Sequence, residues 1–99
     1  MKYFFLFFIF LSNVYAVSIK GRVYDSTTNS PLIGANVSVV GTNFGAATDS
    51  KGNYLINQLS EGNYSIKVSY MGYKTFRKSF TLTENEALVL DINMDPEAI

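Results

Sequence analysis

Residues 31–73 read PLIGANVSVVGTNFGAATDSKGNYLINQLSEGNYSIKVSYMGY. Short stretches of alternating apolar and polar residues are cut by Gly34, Gly41, Gly45, Gly52, Gly62 and Gly72. A period of two is what a strand needs to bury one face and wet the other. Glycine punctuation at this density marks tight turns between such strands. Together they predict a small all-β sandwich and not a catalytic scaffold.

Outward from that stretch the same period continues in both directions. Residues 18–25 alternate Ile19, Gly21 and Val23 against Lys20, Arg22 and Tyr24, and 26–31 form a turn cluster. Within the stretch, Ala35, Val37 and Val39 point inward, and 42–47 is a loop or short edge strand. Residues 53–58 turn Tyr54 and Ile56 inward. Residues 64–70 set Tyr64, Ile66, Val68 and Tyr70 against Ser65, Lys67 and Ser69. Residues 74–82 place Phe76, Phe80 and Leu82 on one face, with Lys78 as an exception that belongs near a sheet edge. Residues 88–94 read as one last strand with Leu88, Leu90, Ile92 and Met94 inward, and only 83–87 suit a helical turn. That makes about seven strands, and a one-residue slip in any of them would expose its apolar set.

The first sixteen residues stand apart. Met1 and Lys2 form a short positive start, 3–11 is an unbroken apolar run, and Val14-Tyr15-Ala16 ends in a small residue. This order is that of a secretory signal peptide cleaved after Ala16. The run is shorter than the roughly 20 apolar residues of a bilayer span. With no cysteine in the chain, a lipid-anchored signal is excluded. The organisation read from the sequence is a signal peptide over 1–16, a β-sandwich domain over 17–94 and a short tail over 95–99.

Composition removes several function classes. After loss of Lys2 the chain carries seven basic and eight acidic residues, so no basic excess exists to hold phosphates, and nucleic acid is not expected as a partner. The chain has no histidine and no cysteine, which rules out Ser-His-Asp and Cys-His nucleophilic sites and removes the preferred ligands of zinc. No GxxxxGK[ST] or GxGxxG loop occurs. Glu84 and Glu86 are a carboxylate pair in a polar connection and read as solvated. No catalytic, cofactor-binding or metal-binding residue is therefore assigned, and an enzyme is not expected.

Four local patterns call for a choice. Asp49-Ser50-Lys51-Gly52-Asn53-Tyr54 has the look of a calcium-loop fragment, but Lys51 would repel the cation. It reads better as a β-turn, with Asp49 accepting backbone N–H groups and Gly52 at positive φ. Glu61-Gly62-Asn63 reads as a hairpin turn. Asn36-Val37-Ser38 and Asn63-Tyr64-Ser65 match the glycosylation tripeptide. Tyr24, Tyr70 and Tyr73, read as exposed, together with Phe44 offer a stacking surface for a sugar, against the plainer reading of core or corner tyrosines.

The ordered motifs resemble the carboxypeptidase regulatory-like domain. Ile19-Lys20-Gly21-Arg22-Val23-Tyr24-Asp25 is similar to its opening strand, and Pro31-Leu32-Ile33-Gly34-Ala35-Asn36-Val37 to its PL-x-GA-x-V segment. Gly41-Thr42, Gly45, Thr48-Asp49, Gly52 and Tyr54 follow its GT…G…TD-x-x-G-x-Y order, then Gly62, Tyr64 and Tyr70-Met71-Gly72-Tyr73. The resemblance implies a transthyretin-like, seven-stranded Greek-key β-sandwich. It also implies the periplasmic N-terminal extension of TonB-dependent and SusC-like outer-membrane receptors, hence an exported chain whose partner is cell-envelope receptor machinery. No TonB box, plug or barrel follows in this sequence, so it reads as a truncated receptor or a free-standing secreted module. A carbohydrate-binding module with a glycan ligand is the alternative. The fold-related hydroxyisourate hydrolase depends on histidines that this chain lacks.

Overall fold

Alternation converts directly into burial. Ile19 and Val23 of β1 (Val17–Asp25), Val37 of β2 (Asn36–Val39) and Ile66 and Val68 of β5 (Gly62–Ser69) are all fully buried, while Lys20, Asn36 and Asn63 are exposed. The computed structural model describes residues 17–84 and 87–98. The signal peptide expected over 1–16, part of the expected helical turn at 83–87, and Glu86 lie outside the described residues.

Two sheets stack into a sandwich. The first runs in the order β4 (Asn53–Leu59), β1, β7 (Leu88–Val89), with β8 (Ile92–Met94) continuing beside β1. The second runs β3 (Gly45–Ala47), β2, β5, β6 (Phe76–Leu82). β1 is antiparallel to β4 but parallel to β7 and β8, so the first and last strands are neighbours running the same way. All pairings in the second sheet are antiparallel. The core between the sheets joins Ile19, Val23, Ile56, Leu59, Ile92 and Met94 of the first to Val37, Val39, Ile66, Val68, Phe80 and Leu82 of the second. Each such side chain contributes about 1.5–3 kcal/mol on burial. No helix among the described residues is long and apolar enough to cross a membrane.

Two expectations need correction. The final strand is not continuous: it breaks at Leu90 and Asp91 into β7 and β8. The break is held by hydrogen bonds, not left open. Leu90 N donates to Lys20 O at 2.8 Å, Leu90 O accepts from the Tyr54 hydroxyl at 2.6 Å, and Asp91 Oδ1 accepts from Arg22 N at 3.0 Å. Gly21 lies under it, where an added Cβ would meet Leu90 O at 1.9 Å. Second, Glu61 and Gly62 do not close a hairpin. β4 and β5 belong to different sheets, so this short link crosses the sandwich. β4 is bulged just before it: Val17 faces Leu59 and Ile19 faces Ile56, and Gln58 takes φ 67° in the extra position. The bulge turns Leu59 into the core and sends the chain to the other layer. Asp25, whose face the alternation did not assign, ends the inward face of β1 and is buried along with the apolar residues before it.

Lys78 is where its sequence exception suggested, on β6 at the end of the sheet order. Gly45–Ala47 is an edge strand of three residues.

Candidate functional site

The polar residues of the family-like motifs are mostly engaged in holding the backbone. Asp25 ends β1 at a turn. Its Oδ1 accepts from Thr27 N at 2.7 Å, the Thr27 hydroxyl, and Thr28 N at 3.0 Å. Its Oδ2 accepts from the Tyr73 hydroxyl at 2.6 Å. The Thr27 hydroxyl and Tyr73 hydroxyl, followed by the Thr27 and Thr28 amides, hold the carboxyl well below the usual carboxylate range. The same bond to Asp25 pushes the Tyr73 phenol up. A carboxylate kept ionised and used by four donors is a strut, not a proton-transfer group.

Thr48 is a second buried polar residue, one that alternation does not reveal. Its Oγ1 accepts from Ala35 N at 2.8 Å and donates to Leu32 O. Its backbone exchanges bonds with Gly34 and Ala35. Thr48 thus pins the PL-x-GA segment, and the threonine in the TD pair was the available signal. The adjacent turn is the β-turn expected. Asp49 Oδ1 accepts from Lys51 N and Asn53 N, both at 2.9 Å, and Gly52 has φ 79°. Gly52 also leaves room for its neighbours, since a Cβ there would meet Val23 O at 2.6 Å and Pro31 Cβ at 3.0 Å. Tyr54, mostly buried, has its phenol pushed up by burial and then by Asp91.

The sugar-stacking surface is not assembled. Tyr24, Tyr70 and Tyr73 are partly buried, and Tyr70 and Tyr73 pack on the core with ring centroids 5.6 Å apart and tilted by 48°. The Arg22 guanidinium covers the Tyr24 ring at 5.2 Å. Phe44 lies beyond the β2 end opposite Ile66, whereas Tyr70 follows Ser69, which faces Asn36 at the other end of β2. The two ends of the second sheet hold them apart. The glycosylation tripeptides fall within β2 and β5, with Asn36 and Asn63 exposed and Asn63 Oδ1 accepting from the Thr81 hydroxyl at 2.8 Å.

What remains open is surface. A shallow hollow of about 480 Å3 on the second sheet is lined by Val40, Asn63, Tyr64, Ser65, Ser79, Phe80 and Thr81, with Tyr64 stacked on Phe80 at 5.7 Å. Another of about 240 Å3 shares Val40, Ser65 and Ser79 and reaches Arg77 and Lys78. The Ser65 and Ser79 hydroxyls face each other at 3.4 Å, and among the described residues no hydrogen bond joins either to a basic side chain. Among the described residues, no three His, Cys, Asp or Glu side chains come together as a metal site.

Residues 19–99 match the CarboxypepD_reg-like domain, and the chain belongs to that family. Over 58 residues it is 45% identical to the TonB-dependent receptor SusC of Bacteroides thetaiotaomicron, covering 59% of this chain and 6% of the receptor. The chain thus spans only a small part of that relative's length. The Bacillus anthracis TIE protein shares the fold with a TM-score of 0.67 and 25% identity, over 82% of this chain and 16% of that one. A type II cohesin–X-dockerin complex from Acetivibrio cellulolyticus matches with a TM-score of 0.60 and 26% identity, over 79% of this chain and 56% of its counterpart. The family assignment agrees with the resemblance carried by the motifs, and the two-sheet architecture agrees with the sandwich it implied.

Proposed function

We propose that this chain is a non-catalytic, exported interaction or spacer module that stands on the periplasmic face of the outer membrane as the N-terminal extension of a TonB-dependent receptor. The observation that carries the reading is the 45% identity to a SusC receptor over 58 residues. A second observation supports the non-catalytic part: Asp25, Thr48, Asp49 and Tyr73, the polar residues of those motifs, spend their hydrogen bonds on the backbone and on each other. A small sandwich of this kind offers faces and edges to a partner, not a cleft for a reaction.

Two experiments test it. Pull-down from an outer-membrane extract should retain a receptor-type envelope protein, and retention of none would remove the interaction half. Assays with peptide, ester and glycoside substrates should show no turnover, and turnover abolished by a single surface substitution would overturn the non-catalytic half. Export carries its own check: the periplasmic protein should begin at Val17 by mass spectrometry, and intact Met1 in the membrane fraction would refute cleavage after Ala16. Glycan affinity by calorimetry separates this reading from that of a carbohydrate-binding module.

A further inference from the structure

A sandwich of two open sheets has four edges, and each must avoid unwanted pairing. In this molecule three are blunted by shape. β3 is three residues long. β4 is bulged at Gln58 and lies beside β3. The β7–β8 edge is interrupted at Leu90 and Asp91. β6 differs. From Phe76 opposite Val68 to Leu82 opposite Gly62 it keeps unbroken register with β5, and among the described residues nothing pairs its other side.

Charge alone guards it. Arg77 lies directly opposite Lys67 on the outer face, a like-charge cross-strand pair that is unfavourable in isolation. Lys78 follows opposite the buried Ile66, so it occupies the core-facing register at an exposed rim. The middle of the edge therefore carries positive charge on both faces. Among the described residues neither Arg77 nor Lys78 has an ion-pair partner. A shape defect disfavours any added strand, whereas a charge guard disfavours a second copy of this chain paired about Arg77 and Lys78 and admits a strand of opposite sign.

We propose that β6 is the docking edge of the module and takes an extended acidic segment of a partner protein as an added strand. Register sets the pattern. Opposite Phe76 and Phe80 the segment carries apolar residues on the inner face. Opposite Arg77 and Lys78 it carries two adjacent carboxylates, one per face, and opposite Ser79 a hydroxyl. Main-chain bonds supply affinity, and the carboxylate pair supplies selectivity. This deepens the interaction reading by naming the edge and the kind of partner, and rests on that reading only for there being a partner.

The test uses the purified protein, isotopically labelled, and a short synthetic peptide with valine, threonine, aspartate, glutamate and valine in order at its centre. Amides of β6 should shift and become protected from exchange. Binding should weaken with salt, and a peptide with two lysines in place of the acids should bind at least about tenfold more weakly, a difference of about 1.4 kcal/mol. The double variant Arg77→Glu with Lys78→Glu should reverse that preference. Equal binding of an acidic peptide with a central proline, which cannot pair as a strand, would overturn the proposal. So would shifts that spare β6, or a sulfated oligosaccharide that binds the same patch without amide protection. Receptor attachment is read separately by pull-down, so failure here leaves that reading standing.

Discussion

Asp25 shows how much of a motif residue's meaning lies in its neighbours. As the last residue of an alternating strand it is one more polar position. In the structure it takes the inward face and gathers Thr27, Thr28 and Tyr73, the last from a turn forty-eight residues away. Because folding lowers its pKa, the stability it contributes is fully present above the unfolded value of about 3.9 and is lost as pH falls below it. We expect Asp25→Asn to lower the melting temperature at neutral pH. Its melting temperature should also fall less steeply than that of the parent between about pH 5 and about pH 2. Parallel calorimetric profiles would contradict this. Gly52 was legible from the sequence as a positive-φ turn residue, because Asp and Gly flank the turn in the expected order. Its second constraint, the approach of Val23 O and Pro31, was not. Gly52→Val should cost about 1–3 kcal/mol by chemical denaturation, through backbone strain and the clash together.

At the scale of elements, strands with a full apolar period were readable, and their ends were not. β1, β2, β4 and β5 lie where alternation placed them, because burial rewards only one register. The break between β7 and β8 is not legible in the sequence because Leu88, Leu90, Ile92 and Met94 keep an uninterrupted period of two. Its cause is the Tyr54 hydroxyl and the Arg22 amide, which come from two other strands. Gly21→Ala should disrupt this seam, since its Cβ falls within bonding range of Leu90 O. A loss of about 1–3 kcal/mol is expected from forced displacement, and an unchanged denaturation midpoint would mean that the seam is not held as described. Tyr54→Phe removes the donor to Leu90 O and should cost about 0.5–1.5 kcal/mol.

For the molecule as a whole, the parallel pairing of β1 with β7 and β8 has two consequences. The chain enters at the Val17 end and leaves past Met94 at the opposite end of the same pair of strands. The exit is then pinned: Ser26 Oγ donates to Asp95 Oδ1 at 2.6 Å, Lys74 N to Asp95 O at 2.9 Å, and Glu97 N to Gly72 O at 2.9 Å. Anything downstream is therefore attached to the pole formed by the 26–30 and 70–75 turns. β1 is also the central strand of its sheet and is incomplete until the last strand arrives. A chain ending after Leu90 lacks Ile92 and Met94, both fully buried against β1, and should fail to fold cooperatively by circular dichroism and heat. Retention of a sharp transition would refute this.

The sequence by itself determined the fold class, the inward face of each main strand and the Asp49–Gly52 turn. These follow from local periodicity and backbone sterics, which need no knowledge of distant residues. The ordered motifs also identified the family. Tertiary structure alone decided the sheet change after Gln58, the split of the last strand, the burial of Asp25 and Thr48 and the separation of Phe44 from Tyr70 and Tyr73. It also decided that, among the described residues, β6 keeps an unbroken and unpaired outer edge. Each of these depends on which strand becomes a neighbour. Such pairing is set by contacts between residues far apart in the chain, so one-dimensional alternation cannot encode it.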